Sequence, residues 1–382
     1  MIKHEKLRAT GEALSSYGKS SAPVSRHDAA MQRYLGAIDH TTHTEHDRSP
    51  EPTTSVKHLG PHPLFSEIHT VTPSPLEGGP IEEDDREAGL GRADVVVVGI
   101  DGSPHALKAA QWAATEADRR NAELRLVYAY SLPIAGYAGY SMAPDNLGTI
   151  MRVEGTAMLR EIAAGIRTEH PGLTVGIRLF QGDAVLALRR ESQQARLTVV
   201  GSRGNGRVSG VLLGSVAMAI TSHGTAPVAV IPAEGPGGTT DGPVVVGVDG
   251  PATSEAAIAF AFDDAAVRGA RLVAVHTWND VRPTLAEASL IEPHKLEAAE
   301  RAVLSEQLAG WRDKYPDVEV ESIVVRGRPT RTLLRFARQA QLVVVGSRGR
   351  GGFAGMVLGS TSHSLISHAL CPVVVVRPDS LR

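Results

Sequence analysis

One unit occurs twice in this chain, and that repetition limits the folds open to it more than any other feature. Val95-Val96-Val97-Val98-Gly99-Ile100-Asp101 returns as Val244-Val245-Val246-Gly247-Val248-Asp249. Leu197-Thr198-Val199-Val200-Gly201-Ser202-Arg203-Gly204 returns as Leu342-Val343-Val344-Val345-Gly346-Ser347-Arg348-Gly349. The offset is 148 residues for the first segment and 145 for the second, so the length difference falls between them, most simply in the loop after the second strand. A chain of 382 residues has room for two such domains and an additional segment. Gly235-Pro236-Gly237-Gly238-Thr239-Thr240-Asp241-Gly242 carries no apolar residue and reads as the linker between the copies. The expected organisation is an extension over residues 1–93, a first domain over 94–234 and a second over 243–379.

The β-branched runs have the texture of strands buried on both faces of a parallel sheet. In the first copy strands are expected at 95–100, 124–129, 173–180, 197–201 and 227–231, with helices at 104–120, 148–169, 184–194 and 214–223. Such alternation enforces right-handed crossovers and helices on both faces of the sheet, an α/β, doubly wound, Rossmann-like domain in each copy. Ligands of such sheets bind at the carboxyl ends of the strands, where the winding direction reverses.

The chemistry lies in the loop after the fourth strand. Gly201-Ser202-Arg203-Gly204, nine further residues and Gly214-Ser215 are matched by Gly346-Ser347-Arg348-Gly349, nine residues and Gly359-Ser360, and nine of sixteen positions in this stretch are identical. Glycines let backbone N–H groups approach an anion without Cβ obstruction. The helix opened by Ser215 and Val216, or by Ser360 and Thr361, presents orphan N–H groups and a positive dipole end to a phosphate. Arg203, Arg207 and Arg348 add cations, although Gly352 stands where the first copy has Arg207. Asp101 and Asp249, at the ends of the first strands, are placed to accept from ribose hydroxyls or an adenine amino group. The alternative is purely structural, since turns use glycine and helix starts use serine. The loop is neither the Walker form nor the dinucleotide fingerprint that follows a first strand.

At these residues the chain resembles the universal stress protein family in its tandem form, and its ATP-binding branch, over about 95–232 and 243–378. That family's Gly-x2-Gly-x9-Gly-(Ser/Thr) signature is met twice. The resemblance implies a strand order of 3-2-1-4-5, adenosine against Ile100, Asp101 and Val127 in the first copy and Val248, Asp249 and Val275 in the second, ATP with or without magnesium as ligand, and a role in stress or dormancy adaptation. The second copy departs in reading Asp249-Gly250-Pro251 for Asp101-Gly102-Ser103, which removes a hydroxyl and an N–H donor.

The expected function is therefore nucleotide-dependent regulation without a dedicated catalytic reaction, with slow ATP hydrolysis and a nucleotide-independent scaffold as alternatives. No Gly-x-Ser-x-Gly elbow or His-Glu-x-x-His motif is present. A net charge of -3 argues against nucleic acid or an anionic membrane as partner. No apolar run approaches the ~18 residues of a spanning helix, and the polar opening Met1-Ile2-Lys3-His4-Glu5-Lys6 lacks a secretory signal, so the cytoplasm is the expected location. Residues 1–93 lack sustained periodicity and read as mostly disordered, a partner-binding or regulatory arm for a protein not identified by the sequence. Eight of the fifteen histidines lie there, His40, His43 and His46 among them, but no frame is evident to make a metal site. Cys371, the single cysteine, reads as a buried and inert thiol. The apolar fifth strands would be exposed edges if each copy stood alone, so they are expected to face each other as an intramolecular pseudo-dimer, with homodimerisation of the chain left open.

Overall fold

The computed structural model describes residues 94–132, 136–137, 140–141, 146–205, 213–235, 241–278, 293–349, 358–378 and 380. The expectations for residues 1–93 and for Arg207 lie outside that set.

The first copy runs β1 (Val95–Ile100), α1 (Pro104–Arg119), β2 (Glu123–Tyr130), a short hairpin β3 (Gly136–Tyr137) and β4 (Tyr140–Ser141), α2 (Leu147–Glu169), β5 (Val175–Gln181), α3 (Ala184–Ser192), β6 (Leu197–Gly201), α4 (Ser215–His223) and β7 (Val228–Ile231). The second runs β8 (Val244–Val248), α5 (Pro251–Arg268), β9 (Leu272–Trp278), α6 (Pro293–Lys314), β10 (Val320–Arg326), α7 (Pro329–Ala337), β11 (Leu342–Gly346), α8 (Ser360–His368) and β12 (Val373–Val376). β2 and β9 end 148 residues apart and α2 and α6 end 145 apart, so the length difference lies after the second strand, as expected. Among the described residues no helix is long and apolar enough to cross a membrane.

Ten strands form one sheet in the order β10-β9-β8-β11-β12-β7-β6-β1-β2-β5. Each half is therefore 3-2-1-4-5, and pairing within each half is parallel. The valine runs explain the central strands: with both faces covered, alternate residues of one strand enter different cores. Val96 and Val98 pack with α1 and α2, while Val95 and Val97 pack with α3 and α4. In the second half α5 and α6 cover the first face, and α7 and α8 the other. The α1 face consists of Ala106, Ala109, Ala110, Ala113, Ala114 and Ala117, small residues that bring the helix close to the sheet.

The fifth strands join the halves. β7 and β12 pair antiparallel, with Val373 opposite Val230, Val374 opposite Ala229 and Val375 opposite Val228, so neither apolar edge is exposed. Arg377 donates across the joint to the Ser222 carbonyl. Cys371 sits beside it, 1% exposed, and burial pushes its thiol pKa up to about 12.

A second contact across the same pseudo-twofold is ionic. Arg120 donates through Nε to Glu116 at 2.5 Å and through Nη2 to Asp264 at 2.6 Å. Arg268 donates through Nε to Asp264 at 2.6 Å and through Nη2 to Glu116 at 2.5 Å. The four side chains close a ring, each no more than 4% exposed. They are equivalent by the 148-residue offset, and so are the rings that cover them, Arg120 lying over Phe260 and Arg268 over Trp112. Burial, and then the neighbouring Asp264 charge, push the Glu116 carboxyl above its usual range. Burial also opposes ionisation of Asp264, but Arg268 and Arg120 overcome it and hold that carboxyl below its usual range.

Candidate functional site

At the carboxyl end of each parallel half, the loop after the first strand meets the loop after the fourth. In the first half Asp101 joins them: Oδ1 accepts from the Ser103 N–H at 2.9 Å and Oδ2 from the Asn205 N–H at 2.8 Å. Ser103 then caps α1, its Oγ accepting from the Ala106 N–H at 3.1 Å. Gly204 is a glycine because of this joint, since a Cβ there would collide with Asp101 Oδ2. A Cβ on Gly201 would lie 3.1 Å from the His105 carbonyl.

Gly214 differs. It is the N-cap of α4 with φ -70°, open to any residue, and the nearest atom to a Cβ would be 3.6 Å away. No backbone requirement or packing contact calls for glycine here. Its effect is to leave α4 without a side-chain cap, so among the described residues no side chain takes the N–H groups of the first turn beside the glycine loop. Gly214 itself donates to the Ser202 carbonyl at 2.8 Å, which holds the helix start against the loop.

The resulting cleft has a volume of about 610 Å³. Of the expected residues, Ile100, Asp101, Gly201, Arg203, Gly204, Gly214, Ser215 and Val216 line it. Val127 is buried at 2% exposure and is not among the lining residues. Arg203 extends outward to Glu234, Nη1 to Oε1 at 3.2 Å.

The second cleft measures about 480 Å³ and is lined by all the residues expected of it, Val248, Asp249, Val275, Gly346, Arg348, Gly349, Gly359, Ser360 and Thr361. Gly349 is packed against Asp249 Oδ2 as Gly204 is against Asp101, and Gly359 caps α8 with no side-chain hydrogen bond. Pro251 stands where Ser103 caps the first helix, and α5 has no side-chain cap; Ser254 Oγ instead accepts from the N–H groups ahead of the helix, Asp249 at 2.8 Å and Gly250 at 3.3 Å. A further difference leaves one atom unpartnered. Ser202 Oγ accepts from the Ala233 N–H at 2.9 Å, whereas the buried Ser347 Oγ has no partner among the described residues, because Pro378 replaces Ala233 and has no N–H to give.

α3 and α7 contribute walls that were not expected from the motifs: Ala184 and Leu188 in the first cleft, Pro329 and Leu333 in the second. His105 and Asn205 in the first cleft, and Ser254 and Thr277 in the second, are further lining residues that no motif marks. A signal for the helical walls existed. Gly182 and Gly327, paired by the 145-residue offset, take φ of 130° and 158° and turn the chain from the third strand into those helices.

The sequence model of the universal stress protein family matches residues 93–232 and again 242–377. The chain belongs to the universal stress protein family. Universal stress protein Rv1996 of Mycobacterium tuberculosis is 39% identical over 299 residues, covering 74% of this chain and 94% of the relative. Universal stress protein Rv2623 of the same organism is 39% identical over 290 residues, covering 74% and 96%. In shape, the chain is similar to a universal stress protein from Archaeoglobus fulgidus, with a TM-score of 0.57 at 22% identity, covering 76% of this chain and 98% of that one, a likeness of fold. The tandem arrangement expected from the repeat is thus that of two universal stress protein domains. The two clefts occupy equivalent places in them, and their differences include Ser103/Pro251, Ala106/Ser254 and Ala233/Pro378.

Proposed function

We propose that each domain, 94–234 and 243–379, binds one ATP at its cleft, and that occupancy serves as a regulatory signal in stress or dormancy adaptation in the cytoplasm, with no dedicated catalytic reaction. The observation that carries this reading is the uncapped helix start at Gly214 and again at Gly359, set against a glycine loop in a cleft of about 610 or 480 Å³. Orphan N–H groups beside a concave backbone array suit a polyphosphate, and the volumes fall within the usual range of small-molecule sites. Gly201, Gly204, Gly214 and Ser215, with Gly346, Gly349, Gly359 and Ser360, would surround the phosphates, and Val216 and Thr361 would add first-turn N–H groups. Ile100 in the first cleft and Val248 and Val275 in the second offer apolar contact to the base. Each oxygen of Asp101 keeps a second lone pair for a ribose hydroxyl after accepting from the backbone. Magnesium arriving with ATP would be held mainly by phosphate oxygens and water.

The test is to denature the freshly purified protein and quantify released nucleotide against protein, followed by calorimetry with ATP and magnesium. About two adenine nucleotides per chain, bound or titrated, is the expected result. No released nucleotide and no heat of binding would leave a folded scaffold and refute the proposal.

A further inference from the structure

The two halves differ on the outer face of one pair of equivalent helices. In α7 and its caps, Arg328, Arg331, Arg335 and Arg338 are all exposed. Their spacing of three, four and three residues places them in one stripe about 15 Å long. The equivalent positions on α3, 145 residues earlier, are Asp183, Leu186, Arg190 and Gln193, a stripe with no net charge. Asp183 caps α3 through its side chain, accepting from the Leu186 N–H at 2.9 Å, while Arg328 leaves α7 uncapped. Among the described residues none of the four α7 arginines pairs with an acid. The local sequence offers none: no Asp or Glu occurs between Glu321 and Asp379, an interval with eight arginines. Four like charges in a row on a short helix disfavour it, so this stripe costs stability unless an anionic surface covers it.

The chain contains a segment of the required chemistry. Glu82-Glu83-Asp84-Asp85-Arg86-Glu87 has five carboxylates in six residues and, extended, would run about 20 Å, close to the length of the stripe. Topology brings the two within reach. Because β7 and β12 are antiparallel, the amino end of β1 lies at the same rim of the sheet as the carboxyl ends of the second half's strands, where α7 begins. α7 packs over β8, β9 and β11. β8 is five strand positions from β1, about 24 Å at the usual strand spacing. Ten residues separate Asp84 from Asp94, and they can span about 33 Å.

We propose that the acidic segment 82–87 docks in the same chain on the arginine stripe of α7. Guanidinium groups suit this contact because each can take a carboxylate through two parallel N–H donors.

Cysteine pairs in the full-length protein test it. The native Cys371 is buried and its thiol stays protonated at neutral pH, so introduced thiols report alone. Asp84→Cys with Arg331→Cys is compared with Asp84→Cys with Leu186→Cys, the equivalent and 64% exposed position on α3. Under mild oxidation at low salt the first pair should close an intrachain disulfide about tenfold faster than the second. The advantage should vanish at 1 M salt, where charges are screened beyond about 3 Å. Glu83→Cys with Arg335→Cys repeats the measurement should the first pair fold poorly. Equal rates at α3 and α7, a rate indifferent to salt, or a disulfide formed only between chains would each overturn the proposal.

Discussion

Replacing Arg120 by Met should destabilise the protein by about 3–5 kcal/mol, the range for removing one partner of a buried ion pair. The wild-type ring is neutral, two guanidinium groups against Glu116 and Asp264, with Arg120 also donating to Asp263 at 2.7 Å. In the variant two carboxylates of 1% exposure share one arginine, and one carboxylate must be ionised without a partner or take up a proton. Glu116 is the acceptor of that proton, because burial and Asp264 already raise its pKa and loss of Arg120 raises it further. A raised folded pKa favours the folded state fully below the unfolded value of about 4.3 and loses that contribution as pH rises through the folded value. The deficit of the variant should therefore be largest at pH 8 and shrink toward pH 5. Adding Glu116→Leu, which leaves a neutral Asp264–Arg268 pair, should restore most of the loss. Urea unfolding followed by circular dichroism, at several pH values for all three proteins, reads these differences. A loss below about 1 kcal/mol, the level of an exposed pair, with no dependence on pH would refute the idea that the ring is dry and closed.

Three further outcomes are expected. Gly214→Ala and Gly359→Ala should each lower ATP affinity at their own cleft at least tenfold, or about 1.4 kcal/mol, while the fold is kept, since the nearest atoms to the new Cβ are 3.6 and 3.4 Å away; calorimetry paired with thermal unfolding separates the two effects, and unchanged affinity would remove the helix starts from the phosphate site. Gly204→Ala should displace the Asp101 carboxylate and destabilise the loop even without ligand, and Asp101→Ala in the same chain should relieve it; a Gly204→Ala protein as stable as wild type would refute the packing argument. Cys371 should resist alkylation at pH 8 in the native protein and react at once in 6 M guanidinium, because its thiol pKa is pushed up to about 12 by burial; rapid native labelling would show that the joint opens.

The sheet was readable because its strands are unmistakable: four consecutive valines at 95–98, buried on both sides, suit a central parallel strand better than an amphipathic helix. The pairing of β7 with β12 followed from the same logic, since an apolar edge must be covered. The glycine loops were readable because they recur at fixed spacing. Their internal role was not, because the contact of Gly204 with Asp101 arises only when loops about a hundred residues apart are brought together. The ionic ring was hidden for a different reason. Glu116 with Arg120 and Asp264 with Arg268 have the four-residue spacing of ordinary exposed helix pairs, and only their position among buried alanines, repeated at the same offset, distinguishes them. Ser254, one turn into α5, holds the N–H groups of Asp249 and Gly250 from a position no local motif would indicate, while the side-chain cap that Ser103 gives α1 has no counterpart on α5.

The joint between β7 and β12 has a consequence beyond stability. Two separate subunits meeting through such strands would part on dilution, whereas two copies on one polypeptide meet at the millimolar effective concentration that a short tether provides. Linkage also releases the halves from identity. In a symmetric pair of subunits every substitution appears twice, and a change that suits one site is imposed on the other. Here Pro251 and Ser254 could enter one half, and an arginine row could replace a neutral helix face, with the partner half untouched. The fused chain is in effect a heterodimer whose two members are always made together and always in equal number.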